Sequence, residues 1–243
     1  PLIYPENQVT NESLRDISKE VIREKILLNT KEEAIELAKL MVYIGNHHGK
    51  ETKALITNMN YPLGNMIGNA LEVKEAIDIL NNKGNRDLRE LCIVLSSYMI
   101  SMSKNISFMD AQNEVLHSLK DGKAYNKFVE MINYQKGNLD LLRVSDNIVE
   151  IKSEKEGYIN NIDALKIGEA SMKLGSGRIN KEDNILYGVG IELVKNIGDY
   201  VNVGDTIAKV YVGKTIDYND VRSAFTIDKE KKEKEKLIYG IIK

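Results

Sequence analysis

Thr57-Asn58-Met59-Asn60-Tyr61-Pro62-Leu63-Gly64-Asn65-Met66-Ile67-Gly68-Asn69-Ala70-Leu71-Glu72-Val73-Lys74-Glu75-Ala76 is the stretch on which the fold turns. It leaves a short apolar run, Ala54-Leu55-Ile56, and crosses a loop punctuated by Pro62, Gly64 and Gly68. It then enters a segment of helical composition that carries Glu75. Strand, glycine loop and helix in that order bring backbone groups and one carboxylate to a ligand-accessible edge. The pattern alone leaves two readings open: a functional loop, or a plain turn from strand to helix.

On the N-terminal side, Thr30-Lys31-Glu32-Glu33 is a capping box, in which Thr30 accepts from the Glu33 N–H while Glu33 reaches back. Ile35, Leu37, Ala38, Met41, Val42 and Ile44 give the helix that follows an apolar side, and Gly45 or Gly49 is expected to end it. An earlier amphipathic helix is expected from about Asn11 to Leu27, with Leu14, Ile17 and Val21 at three- and four-residue spacing. Residues 1–8 read as extended, since Pro5 restricts Tyr4.

On the C-terminal side, helices are predicted over Ala70–Leu80, Asp87–Met102, Ser107–Leu119 and Ala124–Asn133. The texture changes at about 138–147. Val149–Lys152, Tyr158-Ile159, Gly188–Leu193 and Ile207–Val212 are short, rich in β-formers and separated by glycine turns. One helical stretch, Ile162–Leu174, lies among them. The expected fold is α/β, with helices packed around a residual mixed sheet, followed by a β-rich α+β C-terminal domain with barrel-sandwich-like hairpins. The charge run from Asp228 to Lys236 alternates Lys and Glu and reads as a solvated excursion.

The 243 residues suffice for one large domain or two small ones, and 42% hydrophobic with 29% charged residues fits a globular protein with a real core. A net charge of −2 gives no bulk reason to expect nucleic-acid or membrane binding. No apolar run approaches the ~20 residues that span a bilayer. The single cysteine, Cys92, cannot form an internal disulfide, and within Leu91-Cys92-Ile93-Val94-Leu95 it reads as a buried packing thiol. No charged-then-apolar leader opens the chain, which makes a reducing cytoplasm the expected compartment. Pro1 implies either a removed Met or a piece of something longer.

Chemistry-bearing residues are few. His47 and His48 are adjacent at a helix end and diverge, so they do not share a metal. His117-Ser118 lacks a visible third group for nucleophilic catalysis. No Cys–His cluster has zinc spacing, and no glycine-rich loop with Lys-Ser or Lys-Thr opens a helix. Ser171-Met172-Lys173-Leu174 is similar to the lysine turn of biotin carrier domains, and Gly198–Asp205 to their glycine-bounded hairpin. Here the hairpin follows the lysine and Lys173 sits in a helical segment, so a biotinyl- or lipoyl-like carrier is the least favoured alternative.

Longer motifs carry a specific resemblance. Thr30–Gly45 reads T-x-E-E-A-x-x-L-A-x-x-M-V-x-I-G. The Pro62–Ala76 segment follows, then Asp87-Leu88-x-Glu90-Leu91, Leu174-Gly175-Ser176-Gly177-Arg178 with Lys181-Glu182-Asp183, and the closing Leu237–Ile242. This series resembles the second half of pyrimidine-nucleoside and thymidine phosphorylases over residues 30–243. The resemblance implies three parts: 1–29, a remnant of the base-binding helical lobe; 30–140, the helical part of the α/β domain; and 141–243, the family's C-terminal domain.

It also implies a reaction, cleavage of a pyrimidine nucleoside by phosphate to a free base and a pentose 1-phosphate. That reaction needs a donor set for phosphate, groups that read the base, and closure around an oxocarbenium-like sugar. Leu2–Pro5 with Ser13–Asp16 matches the family's base-site stretch, so Arg15 stands where the family arginine contacts the pyrimidine. Leu63, Met66 and Glu75 match the family's monovalent-cation site, usually potassium, the first two through main-chain oxygens. No organic cofactor is implied.

Departures from the family pattern matter as much. The serine and lysine of an S-I-M-S-K-K run have no equivalent in Ile17–Lys25. A D-x-K-x-G-x-G-A-F segment is replaced by Lys25–Asn29. The family's K-H-S and glycine-rich phosphate residues are not in the 243, and Leu116-His117-Ser118 lacks the lysine and glycines to replace them. No catalytic residue is assigned. Two functions follow as expectations: a truncated phosphorylase, inactive alone, or a non-catalytic interaction subunit that complements a separate N-terminal half or a paralogue. The expected partners are a pyrimidine nucleoside and phosphate, with a homodimer or a complementing N-terminal chain as the protein partner. Nucleic acid and membrane are not expected as partners.

Overall fold

A computed structural model of the chain describes residues 30–214 and 216–243. Arg15, the Leu2–Asp16 stretch and the expected Asn11–Leu27 helix lie outside the described residues. In chain order the elements are α1 (Lys31–His47), β1 (Ala54–Thr57), β2 (Met66–Ile67), α2 (Asn69–Leu80), α3 (Arg86–Lys104), α4 (Phe108–Lys120) and α5 (Lys123–Tyr134). After a short 3-10 turn come β3 (Ile148–Lys152), β4 (Gly157–Ile162), α6 (Ala164–Ser171), β5 (Gly190–Leu193), β6 (Tyr200–Val201) and β7 (Thr206–Tyr211). A one-turn helix α7 (Asn219–Arg222), β8 (Phe225–Asp228) and β9 (Ile238–Ile242) complete the chain. The protein is therefore α/β, with a β-rich region after its helices.

The described residues form two compact units, 30–58 with 236–243, and 59–235. In the first, the capping box of α1 forms: Glu33 N–H donates to Thr30 Oγ1 at 3.2 Å and Thr30 N–H to Glu33 Oε2 at 3.1 Å. Ala38 and Val42 form the buried side of α1. Gly45 does not stop this helix. It lies inside it, where a Cβ would strike the Thr52 side chain, and the chain turns away at Gly49, whose φ is +69°. β1 pairs antiparallel with β9, Ala54 opposite Ile242 and Ile56 opposite Gly240, joining segments nearly 190 residues apart.

In the second unit, α2 to α5 follow one another with short joins. Asn85 caps α3 by accepting from Leu88 N–H at 3.0 Å, and Ser107 caps α4 through Asp110 N–H. Ile93, Val115 and Leu119 are the buried centre of this helical layer. Cys92 is exposed rather than buried. The apolar neighbours in its sequence point in different directions around α3, so an apolar run in a helix does not place every member inside.

The β-rich part is a sandwich. One sheet has strand order β2-β5-β7-β3 and the other β6-β4-β8, with every described pairing antiparallel. Ile151, Ile159, Ile191, Ile207 and Val210 fill the space between them. The β6 strand belongs to one sheet and β7 to the other, so residues 202–205 carry the chain across. Asn196-Ile197-Gly198-Asp199 and Asn202-Val203-Gly204-Asp205 make the same turn twice. In each, the Asp carboxylate accepts from the N–H of the Asn three residues earlier, at 2.8 and 2.9 Å, and the Gly has φ near +90°.

The stretch Ile162–Leu174 is not one regular helix. Asp163 caps α6, and from Met172 to Ser176 the chain widens into a π turn that Gly175 closes at φ +109°. Ser176 Oγ donates to Ser171 O at 2.8 Å across this turn. Lys173 sits in it, with Nζ 2.7 Å from Asp220, not at the tip of a hairpin. In the Asp228–Lys236 run, Lys234 pairs with Asp87 and lies 4.8 Å from the Tyr61 ring centre.

Candidate functional site

Glu75 is the residue around which the loop of the opening stretch is arranged. It projects from the second turn of α2 and is only 5% exposed. Its Oε1 accepts from Asn65 N–H at 2.7 Å and its Oε2 from Met66 N–H at 3.3 Å. The loop must come this close because residue 64 has no side chain: at φ +84°, a Cβ on Gly64 would lie 2.4 Å from Glu75 Oε2. Gly68 and Gly190 provide a second close approach. A Cβ on Gly190 would lie 2.1 Å from Ile67 O, and one on Gly68 would lie 2.4 Å from Val189 O.

The electrostatics are unbalanced. Burial pushes the Glu75 carboxyl above its usual value, the two N–H bonds pull it back, and the nearest charges that act on it, Glu72 and Asp78, are also acidic. Among the described residues no lysine, arginine or histidine pairs with it. A buried carboxylate without a counter-ion is costly, and a bound cation is one remedy.

Oxygen donors lie in the same place. Leu193 N–H donates to Asn65 O at 2.7 Å, so the 65–193 pair carries the ladder bonds between β2 and β5. Ladder alternation then turns the Met66 peptide groups away from β5, the side on which Met66 N–H meets Glu75. Each carboxylate oxygen has a second lone pair beyond the one it gives to the backbone. A buried carboxylate with free lone pairs beside main-chain carbonyls is hard-oxygen chemistry of the kind that suits a weakly hydrated monovalent cation. The residues present fit that group.

Neighbouring motifs converge on this loop. Asn85 Nδ2 donates to Asn65 Oδ1 at 2.8 Å while Asn85 caps α3, tying a helix start to the loop. Asn69 Nδ2 donates to Ser176 O at 2.7 Å, and Ser171 Oγ to Ile67 O at 3.4 Å. The Pro62–Ala76 and Leu174–Arg178 motifs, about 100 residues apart in sequence, therefore meet. Asn65, Asn69, Asn85 and Ser176 were not singled out by sequence. Asn85 before an apolar run signals a cap, but nothing local signals its bond to Asn65.

The histidines make local contacts. His117 pairs with Asp121 at 2.9 Å on the surface of α4. The His47 ring stacks on Tyr43, and His48 stands at 90° to His47. Among the described residues no three His, Cys, Asp or Glu side chains gather as a metal cluster. No single helix among them is long and apolar enough to cross a membrane.

Comparison with known proteins adds two family matches. Residues 158–228 match the pyrimidine nucleoside phosphorylase C-terminal domain, and residues 8–125 match the a/b domain of a glycosyl transferase family. A pyrimidine-nucleoside phosphorylase of Staphylococcus epidermidis is 40% identical over 226 residues, 88% of this chain and 52% of that protein. The Bacillus subtilis enzyme of the same name is 40% identical over 194 residues, covering 77% and 45% of the two chains. That of Geobacillus stearothermophilus is 40% identical over 186 residues, covering 74% and 43%. The chain spans about half the length of the curated relatives it matches.

Proposed function

The chain belongs to the pyrimidine-nucleoside phosphorylase family, and on that premise we propose that it contributes the cation-holding corner of a phosphorolytic site. The reaction is cleavage of a pyrimidine nucleoside by phosphate, giving a free base and a pentose 1-phosphate, as a step of nucleoside salvage. The observation that carries this reading is the buried Glu75 carboxylate, clamped to Asn65 and Met66 N–H with acidic neighbours and no cationic partner among the described residues.

In this reading the main-chain oxygens of Leu63 and Met66 and the carboxylate of Glu75 hold potassium. The ion supplies a fixed positive charge that offsets the buried carboxylate and braces the loop. The chain's own residues then do the positioning. Gly64 lets the loop lie against Glu75, Asn85 fixes Asn65, and Asn69 and Ser176 hold the Leu174–Arg178 segment beside it. Arg15 is proposed to donate to a carbonyl of the pyrimidine, a role its permanently charged guanidinium suits.

The 243 residues taken by themselves are proposed to be catalytically incompetent. They hold neither the K-H-S run nor the glycine-rich donors that bind phosphate in the family, and preorganised donors are the term on which phosphorolysis depends. Activity then needs a partner: a complementing chain that carries those groups, with a homodimer as the second arrangement. A non-catalytic interaction subunit is the reading in which that partner is complete without it. Purified chain, assayed with uridine or thymidine and phosphate in potassium buffer, is expected to release no base above the uncatalysed rate. Turnover like that of a full-length relative would overturn this assignment.

A further inference from the structure

Helix α3 carries no charged side chain from Leu91 to Ser103 in a chain that is 29% charged overall. Part of that composition is spent inward, on Leu91, Ile93 and Ser97. The outward side is also apolar. Leu88, Cys92, Leu95, Met99 and Met102 recur at steps of four, three, four and three residues, the spacing of a helix-packing seam. The seam is about 21 Å long at 1.5 Å per residue. Leu95 is 42% and Met99 70% exposed, and Cys92, between Leu88 and Leu95, is exposed too.

Beside the seam opens an apolar groove of about 450 Å³, lined by Leu88, Cys92, Ile100, Val115 and Leu119 among others. The α5 helix next to it buries none of its residues. A largely apolar surface of this kind, with Arg89 as the one charged residue lining the groove, marks a place for a partner.

We propose that the Leu88–Met102 seam and its groove are the docking surface for the part of the family's polypeptide that has no counterpart in this chain. This rests on the family reading above, and it names where the complementing chain binds. The match covers 52% of the S. epidermidis relative, so nearly half of that protein remains to be seated somewhere. A second copy of this chain is an alternative occupant that the test separates, because mixed charges flank the seam, Arg86, Asp87, Arg89 and Glu90 at one end and Lys104 at the other. Charge argues against a bilayer, because the adjoining α4 carries Asp110, Glu114 and Lys120.

The test co-expresses this chain with the tagged segment of the S. epidermidis relative that lies outside the match. Cys92 is the chain's one cysteine, so a thiol reagent reads the seam directly. Co-purification is expected, with Cys92 labelled about tenfold or more slowly in the complex than in the chain alone. Leu95→Lys with Met99→Lys is expected to weaken the complex about tenfold or more, while Leu165→Lys, on the exposed side of α6, leaves it intact. Should the double variant misfold by circular dichroism, Cys92 protection in the unaltered chain decides.

Failure to co-purify overturns the proposal. So does a complex in which Cys92 labels as fast as before, and so does protection of Cys92 by the chain's own dimer or by anionic vesicles. A complex with Cys92 protected but no phosphorolysis supports the surface and removes the activity assigned above. Restored phosphorolysis with an unaffected double variant does the opposite.

Discussion

The β-sandwich and the α3–α5 helical layer are built from similar amounts of apolar sequence and use it differently. In the sandwich, sixteen buried residues form one continuous core, closed by two sheets that face each other. In the helical layer the buried cluster is three residues, α5 buries none, and Leu95, Met99 and Met131 remain exposed. A two-layer β structure supplies its own cover. A single layer of helices needs a second layer to bury its other side. One region covers its apolar residues with its own two sheets, and the other leaves an apolar side exposed.

That contrast can be broken most forcefully in the core. Ile207→Ala and Ile191→Ala, both fully buried between the sheets, are each expected to lower unfolding free energy by about 2–5 kcal/mol. Met99→Ala on the helical layer is expected to change it by no more than about 0.5 kcal/mol. Urea denaturation measures both. Equal losses would show that the helical face is covered after all.

Gly190→Ala tests the seam where the loop meets the sandwich. With φ +157° and Ile67 O 2.1 Å from the added methyl, the β2–β5 pair must part, at an expected cost of about 1–3 kcal/mol. Amide exchange of Met66 and Ile67 should accelerate together, while exchange across β3–β7 stays slow.

A smaller effect is expected from Asn85→Ala. It removes the α3 cap and the bond to Asn65 at once, for about 1 kcal/mol. Asn85→Asp keeps the cap and loses only the donor to Asn65, so in a thermal melt its difference from the native chain isolates the loop contact and its difference from Asn85→Ala isolates the cap.

The gentlest test is alkaline. Tyr211 on β7 is pushed from 10.0 up to about 12 by burial and by donating to Glu192 Oε2 at 2.9 Å. A raised phenol pKa means that its stabilisation is whole below pH 10 and is lost as pH rises through about 12. Tyr211→Phe should flatten the fall in stability across that window. An unchanged slope would place the alkaline loss elsewhere.

Short-range features were legible in the sequence. The capping box at Thr30–Glu33, the four central helices and the strand before the loop all follow from patterns within a few residues. The boundaries of these four helices differ from the expected ones by at most two residues. Leu63, Met66 and Glu75 came from a motif match, and the structure brings their segment around one buried carboxylate. What the sequence withheld is non-local or rotational. The pairing of β1 with β9 and the bond from Asn69 to Ser176 link distant segments. The exposure of Cys92 depends on which side of α3 packs first. The π turn at Met172–Ser176 arises from Ser171 and Ser176 bonding to each other, which no periodicity records.

Thermal unfolding in potassium chloride against choline chloride at equal ionic strength, for the native chain and Glu75→Gln, reads cation binding at the Glu75 corner. Potassium is expected to raise the midpoint of the native chain in a saturable way and to leave Glu75→Gln unmoved. Identical midpoints for the native chain in the two salts, or the same potassium response in both proteins, would contradict it.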